Sequence, residues 1–491
     1  MRLPLAAVAM VLFSTPTLGA QQPPPDLFAR LAGIEAAVVR VAGEHPNAIW
    51  PGFRPDTIPV LYLVPEEGIL LLNWRSARLP DGFSAVPGAA DAGWQPAAVR
   101  TGASTGTSLA GRQAAQVFVF PDASDALLFG TAVHEAFHVF ERSVERDGRK
   151  FGSGENAFLI STYPVFDPAN EAGWALEGRL LARALAARST SELRERAREF
   201  VAAREARQRR LGTDFSDFEQ LAELNEGLAE YTLVRSLQLA AADPTLPWRA
   251  GAEAEVRHHW ARLDRLTADV RQSLRLRFYA TGPAMGALLD RLAGPAWRND
   301  LVRHDLTVQD ELAEVSGYRE PEHALLRRAD AAVDTAALGR EALAAVARLR
   351  AIRRLQVDSA LARPGLTVVL RADSLPGRHF GLCGIDPQNL LQVDTTVLLH
   401  TRWVRPCGPG FSADVDAVTV QDKAAGTFTA VVGPADSVRV VAAGTPLTLG
   451  AGETTVREMV KVAAPGLSLA ADRAMITRRG TELEIVPITG R

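Results

Sequence analysis

The period of the apolar positions changes along the chain. Leu27 to Val41 carries them at helical spacing and is followed by short, continuous apolar runs. Ile58-Pro-Val-Leu-Tyr-Leu-Val64 and Gly68-Ile-Leu-Leu-Leu-Asn-Trp74 flank Pro65-Glu66-Glu67 and predict a β-hairpin. Ala114 to Phe120 predicts a further strand, stopped by Pro121. The stretch between them, Gly82 to Gly111, is rich in Gly, Ala, Ser and Pro and reads as loop. From Asp122 to about Leu361, Ala, Leu, Arg and Glu recur at helical spacing. Beyond Pro364, β-like runs return at 367–371, 397–400, 427–432 and 438–441, separated by Gly, Pro and Asp. This pattern predicts an α+β chain: an N-terminal α/β part over 21–120, a helical part over 121–362 and an all-β C-terminal domain over 363–491. No internal repeat interrupts it.

The first twenty residues stand apart. Arg2 precedes the apolar stretch Leu3 to Phe13, and Ser14 to Ala20 are small or turn-forming, the pattern of an export signal cut after Gly19 or Ala20. That stretch is too short to span a bilayer, and no later segment is long and apolar enough, so no stable membrane insertion is expected. The chain has 2 cysteines, Cys383 and Cys407. In an exported protein such a pair predicts a disulfide rather than a metal or redox site. A periplasmic or secreted location is therefore expected. Among the 491 residues, 47% are hydrophobic and 23% charged, and the formal net charge is -3, which describes a globular protein. That balance lacks the basic face a nucleic-acid partner requires.

The densest chemistry lies in Thr131-Ala-Val-His-Glu-Ala-Phe-His-Val-Phe-Glu141. His134 and His138, one helical turn apart, project the same way and can ligate one Zn²⁺. Glu135 beside them can hold a water and take its proton. Val133, Phe137, Phe140 and Val144 form the apolar stripe that anchors this helix, next to a stripe of His134, His138 and Glu141. Position 144, where a third histidine would complete one common zinc motif, is Val. A glutamate from a second helix is the remaining common solution, and the chain offers two candidates. In Glu223-Leu-Asn-Glu-Gly-Leu-Ala-Glu-Tyr231, Glu226 can ligate while Glu230, one turn on, orients a ligand histidine. The competing reading of that helix is a solvated acidic stripe of Glu219, Glu223, Glu226 and Glu230. Gly227 in mid-helix implies close approach by a neighbouring element. In Asn170-Glu171-Ala-Gly-Trp-Ala-Leu-Glu177, Glu177 is the candidate and Glu171 a weaker one.

Together, His134-Glu135-x-x-His138 and Asn225-Glu226-Gly-Leu-Ala-Glu-Tyr231 resemble the gluzincin metallopeptidases, most of all the peptidase-MA-like proteins with their Glu-Gly-x-Ala-x-Tyr motif. Tyr279-Ala-Thr-Gly282-Pro-Ala284 resembles a Tyr-x-x-Gly-x-Ala segment found in such proteins. The likeness runs over roughly residues 120 to 300 and does not reach the C-terminal β domain. It implies a zincin-like catalytic domain and one Zn²⁺ held by His134, His138 and Glu226. Glu135 would be the general base, and a peptide or protein the substrate. The long separation of the two motifs, residues 139 to 225, departs from compact members and leaves the third ligand open between Glu226 and Glu177. For an electrophile at the developing oxyanion the chain offers Tyr279, Tyr231, His304 and the His258-His259 pair, of which Tyr279 is preferred. His258 and His259 sit among charges and read as solvated. Ala114 to Phe120 is expected to be the edge strand that pairs with extended substrate. Two rival readings remain: a non-catalytic envelope protein braced by a structural metal, and a zinc hydrolase of non-peptide amides or esters.

Overall fold

The hairpin forms where the apolar runs place it. Strand β1 (Val60–Val64) pairs antiparallel with β2 (Gly68–Leu72), with Val64 opposite Gly68. Both strands are buried along nearly their whole length because the sheet is covered on both faces. Tyr62, Leu70 and Val117 face the main core, whereas Leu61, Leu63, Leu71 and Phe118 join a smaller cluster around Trp74 on the other side. That two-sided burial is why the runs are continuously apolar rather than alternating. The computed structural model describes residues 22–45, 47–99, 102–146, 149–266, 274–304, 306–319 and 323–489. The export signal read at residues 1–20 lies outside them.

Four more strands complete the N-terminal sheet: β3 (Ser84–Val86), β4 (Ala89–Pro96), β5 (Thr105–Leu109) and β6 (Arg112–Phe118). The strand order is β3-β4-β2-β1-β6-β5, with β6 parallel to β1 and every other pair antiparallel. Two expectations fail here. The stretch 82–111 is not a loop but holds β3, β4 and β5; strands at or near the rims of a sheet bury little, so their composition stays small and polar. The run 114–120 is not at the edge either. Its strand β6 lies inside the sheet, and β5 occupies the edge position.

The helical part comprises α1 (Pro25–Glu44), α2 (Asp125–Ser143), α3 (Pro168–Leu185), α4 (Thr190–Leu211), α5 (Thr213–Ala222), α6 (Leu228–Ala242), α7 (Arg249–Ala261), α8 (Phe278–Ala293), α9 (Trp297–His304), α10 (Val308–Ser316), α11 (His323–Ala332) and α12 (Thr335–Leu361). One π-helical turn, Glu223–Gly227, joins α5 to α6 without a break. The inner faces of these helices and of the N-terminal sheet share one apolar core. No helix among the described residues is long and apolar enough to cross a membrane.

From Leu366 onward the structure is built of strands, arranged in a seven-stranded and an eight-stranded sheet. Residues of both, among them Leu366, Val368, Phe411 and Leu469, meet in one cluster, so the two sheets pack face to face. The four predicted segments lie on strands Leu366–Arg371, Val397–His400, Thr427–Val432 and Arg439–Ala442. Cys383 and Cys407 form a disulfide between the neighbouring strands Gly381–Ile385 and Val404–Gly408. This domain does not hang on a linker. Leu390 and Leu398 reach into the main core of the helical part, and Val357 of α12 packs with Leu391, Val393 and Leu399. The Gln392 amide donates to the Ser161 carbonyl at 3.4 Å, and the Arg402 guanidinium to the carbonyl of Gly102.

Candidate metal centre

Helix α2 starts cleanly because the Ser124 side chain accepts from the Leu127 amide. Phe137 is fully buried, with its ring 5.2 Å from Trp50 and 5.4 Å from Phe53 between centroids. That anchor turns the neighbouring stripe toward α6 and α8. His134 and His138 end with their Nε2 atoms 3.1 Å apart. The Glu226 carboxylate lies 3.5 Å from each, Oε2 from His134 and Oε1 from His138. All three residues are buried, and together they form a group that could hold a metal ion.

Glu226 comes to this point through a backbone device. It sits in the π-helical turn, whose extra residue shifts the facing of the helix after α5. Directly after it, Gly227 meets Gly282 of α8: a Cβ built on Gly282 would lie 2.3 Å from the Gly227 Cα. The mid-helix glycine therefore marks a backbone-to-backbone crossing. The crossing brings the Tyr279 hydroxyl 2.5 Å from Glu226 Oε2, and Thr281 on the same helix donates to Glu223.

The far nitrogens of both imidazoles face carboxylates. His138 Nδ1 is 2.9 Å from Glu141 Oε2, and His134 Nδ1 is 2.9 Å from Glu230 Oε2, the latter out of line for a full hydrogen bond. Such contacts fix ring orientation and turn both Nε2 lone pairs inward. Arg262 holds Glu230 at 3.0 Å. His259 Nε2 donates to the Tyr279 carbonyl at 2.7 Å, since a carbonyl can only accept. The expected solvated pair is thus half wrong: His258 is exposed but His259 is 3% exposed, packed between Glu230 and α8.

Arg275 lies 2.7 Å from Glu226 Oε1, the oxygen that also faces His138, and pairs with both oxygens of Glu155 at 3.0 and 2.8 Å. Asn225 in turn donates to Glu155 at 2.8 Å. Burial alone would raise the Glu226 carboxyl, but Arg275 and His138 outweigh it and hold it well below the usual carboxylate range. Burial likewise pulls both imidazoles down, yet the surrounding carboxylates prevail; His134 stands well above its ordinary value and His138 is pushed up to about 9. Two opposed Nε2 atoms against one carboxylate must be bridged by positive charge, whether protons or a cation. For Glu135, burial is the largest influence and raises its carboxyl, which has no hydrogen-bond partner among the described residues.

The rival residues lie elsewhere. Glu177 bonds Arg204 at 2.9 Å and Arg207 at 2.5 Å, and Glu171 pairs with Arg277 at 3.0 and 2.8 Å. Through Arg204 and Arg207, Glu177 belongs to an interior charge network that also takes in Glu219 and Glu223. The acidic stripe is not solvated: Glu219, Glu223, Glu226 and Glu230 are at most 5% exposed. Tyr231 donates to Asp290 at 2.7 Å, and His304 is exposed at the end of α9. Sequence reasoning misses three partners of the cluster. Glu141 is visible on the histidine stripe, one turn from His138, without a role; Arg275 and Glu155 carry no signal in spacing at all.

No family of known proteins, no curated protein and no solved structure matches this chain.

Proposed function

We propose that this protein is a zinc metallopeptidase of the gluzincin, peptidase-MA-like kind, with a zincin-like catalytic unit, and that it acts after export. The observation that carries this reading is the triangle of donors. Its edges are 3.1, 3.5 and 3.5 Å, against about 3.3 Å between the ligands of a tetrahedral zinc bound at about 2.0–2.1 Å. Two imidazoles and one carboxylate suit zinc, whereas calcium and magnesium call for an all-oxygen shell. A bracing zinc would take a fourth protein ligand, usually cysteine, and both cysteines of this chain are in the distant disulfide. Export is supported by the leader pattern and by that disulfide.

Zinc bound there would supply a Lewis acid for the scissile carbonyl and acidify the attacking water. Glu135 takes the water's proton as the C–O bond forms and delivers it to the amine as the C–N bond breaks, leaving a carboxylate and a free amine. Its buried carboxylate, without a hydrogen-bond partner among the described residues, suits both steps, because burial brings its proton affinity toward that of the groups it serves. The Tyr279 hydroxyl, which donates to Glu226 Oε2 at 2.5 Å, is the candidate donor to the developing oxyanion. Glu141 and Glu230 keep the imidazoles aimed.

Elemental analysis of wild type, Glu226→Gln and Glu177→Gln tests the site. One zinc per chain is expected in wild type and Glu177→Gln, and little in Glu226→Gln. Glu135→Gln is expected to keep its zinc and lose about 10²–10⁴-fold in peptide cleavage. Zinc-free wild type after metal supplementation would sink the proposal.

A further inference from the structure

The π-helical turn Glu223–Gly227 holds one residue more than an α-helix would, a rare arrangement. Each residue of an α-helix turns the chain by about 100°, so a slip of the extra residue to another place would rotate Glu226 away from His134 and His138. Read as plain α-helix, Glu219, Glu223, Glu226 and Glu230 share one stripe. In the structure the turn divides them into two pairs. Glu226 and Glu230 face the histidines of α2, whereas Glu219 and Glu223 face α4.

The pair facing α4 is held by direction as well as by charge. Arg204 and Arg207, one turn apart, bracket Glu177 of α3, with their Nε atoms at 2.9 and 2.5 Å from its two oxygens. Arg204 Nη1 donates to both oxygens of Glu223 at 2.8 and 2.7 Å, and the Arg207 fork closes on Glu219 at 2.6 and 2.8 Å. Tyr163 donates to Glu219 as well, and Thr281 of α8 to Glu223. The side chains of Glu177, Arg204, Arg207, Glu219 and Glu223 are at most 1% exposed. Burial this deep leaves little net stability in an ion pair, and apolar side chains of similar volume often hold a fold as well. What apolar packing lacks is direction. A guanidinium fork fits a carboxylate in one geometry, and a slip of the helix would leave buried charge unpaired.

Resting on the metal-site reading above, we infer that Arg204 and Glu223, backed by Arg207 and Glu219, are positioning residues for Glu226. They fix the register of the helix ahead of the π-helical turn. Behind the turn, the backbone crossing of Gly227 with Gly282 and the hold of Arg262 on Glu230 fix it again. Thr281, next to Gly282 on α8, ties the two fixings together through Glu223. The extra residue is thus confined between them, and Glu226 faces the histidines without help from a metal. Zinc then binds a finished site and need not order one, which leaves more of its binding free energy as affinity.

A double substitution of the full-length protein, Arg204→Met with Glu223→Leu, tests this. It removes one cation and one anion together, leaves Glu177 paired with Arg207, and leaves the Thr281 hydroxyl the Arg277 carbonyl at 3.4 Å as acceptor. The melting temperature is expected to stay close to that of wild type, while zinc affinity, measured by competition with a chelator, falls about 10–100-fold. Arg204→Lys, which keeps the charge without the fork, is expected to fall between the two. Wild-type zinc affinity in the folded double variant overturns the positioning role and leaves the metal site standing. Should the double variant melt early or fail to fold, amide exchange of wild type decides. The amides of 223–227 are expected to exchange as slowly without metal as with zinc, and a turn protected only in the zinc-loaded protein would show that the metal sets the register. Wild type that takes up no zinc overturns the metal-site reading, and the positioning role with it.

Discussion

At the scale of single residues, the candidate site is partly legible because its chemistry is local. His134 and His138 announce themselves by spacing on one helix, and Glu226 with Glu230 by spacing on another. Arg275 and Glu155 are not legible: they meet Glu226 only through the tertiary fold, and a lone Arg in a sequence rich in Arg carries no positional information. A buried histidine in the β domain behaves the same way. His400 lies on the strand Val397–His400 with Nε2 3.0 Å from the Gln421 side chain, no partner for Nδ1 among the described residues, and burial lowering it to about 4. In the unfolded chain it titrates near about 6.5. Its depressed value therefore supports the fold above pH 6.5, and that support is lost as the pH falls from there through 4, because the unfolded chain takes the proton first. Of the acid loss seen in thermal melts from pH 7 to 4.5, about 2–3 kcal/mol is expected to disappear in His400→Gln, the remainder belonging to other buried groups such as His259; an equal acid loss in the variant would assign the effect elsewhere.

At the scale of elements, Gly227 foretells a close approach but not its partner, since a contact with α8 depends on how two helices cross. The π-helical turn is invisible for a related reason: one inserted residue leaves the composition unchanged and alters only the facing of the next helix. Strands β3, β4 and β5 read as loop because strands at or near the rim of a sheet bury too little to show an apolar pattern. The crossing itself is testable. Gly282→Ala would put a methyl 2.3 Å from the Gly227 Cα, and backbone cannot yield as a side chain can. We expect a destabilisation of about 1–3 kcal/mol together with withdrawal of Tyr279 from Glu226, read as a lower melting temperature and weaker zinc retention. A variant that melts and binds zinc like wild type would show that the two backbones have room.

At the scale of the whole molecule, the division into a helical part followed by a strand-built part comes from the change of apolar period, which is a property of long windows. How the two parts meet is not in that pattern. Leu390 and Leu398 look like ordinary strand residues, yet they complete the core of the helical part. The β domain is thereby expected to unfold with the rest. Leu398→Ala should cost about 2–5 kcal/mol and lower a single calorimetric transition, whereas two separate transitions, with only the second shifted, would make the β domain independent.

The contact of Arg402 with Gly102 also orders events in time. A ribosome delivers the metal helix early, Glu226 later, and the residues around Arg402 only after most of the chain has been made. His134 and His138 are thus present long before the residues around Arg402 that close against Gly102. A nascent chain therefore carries the two histidines well before the β domain docks on Gly102 and on the segment Leu274–Arg277.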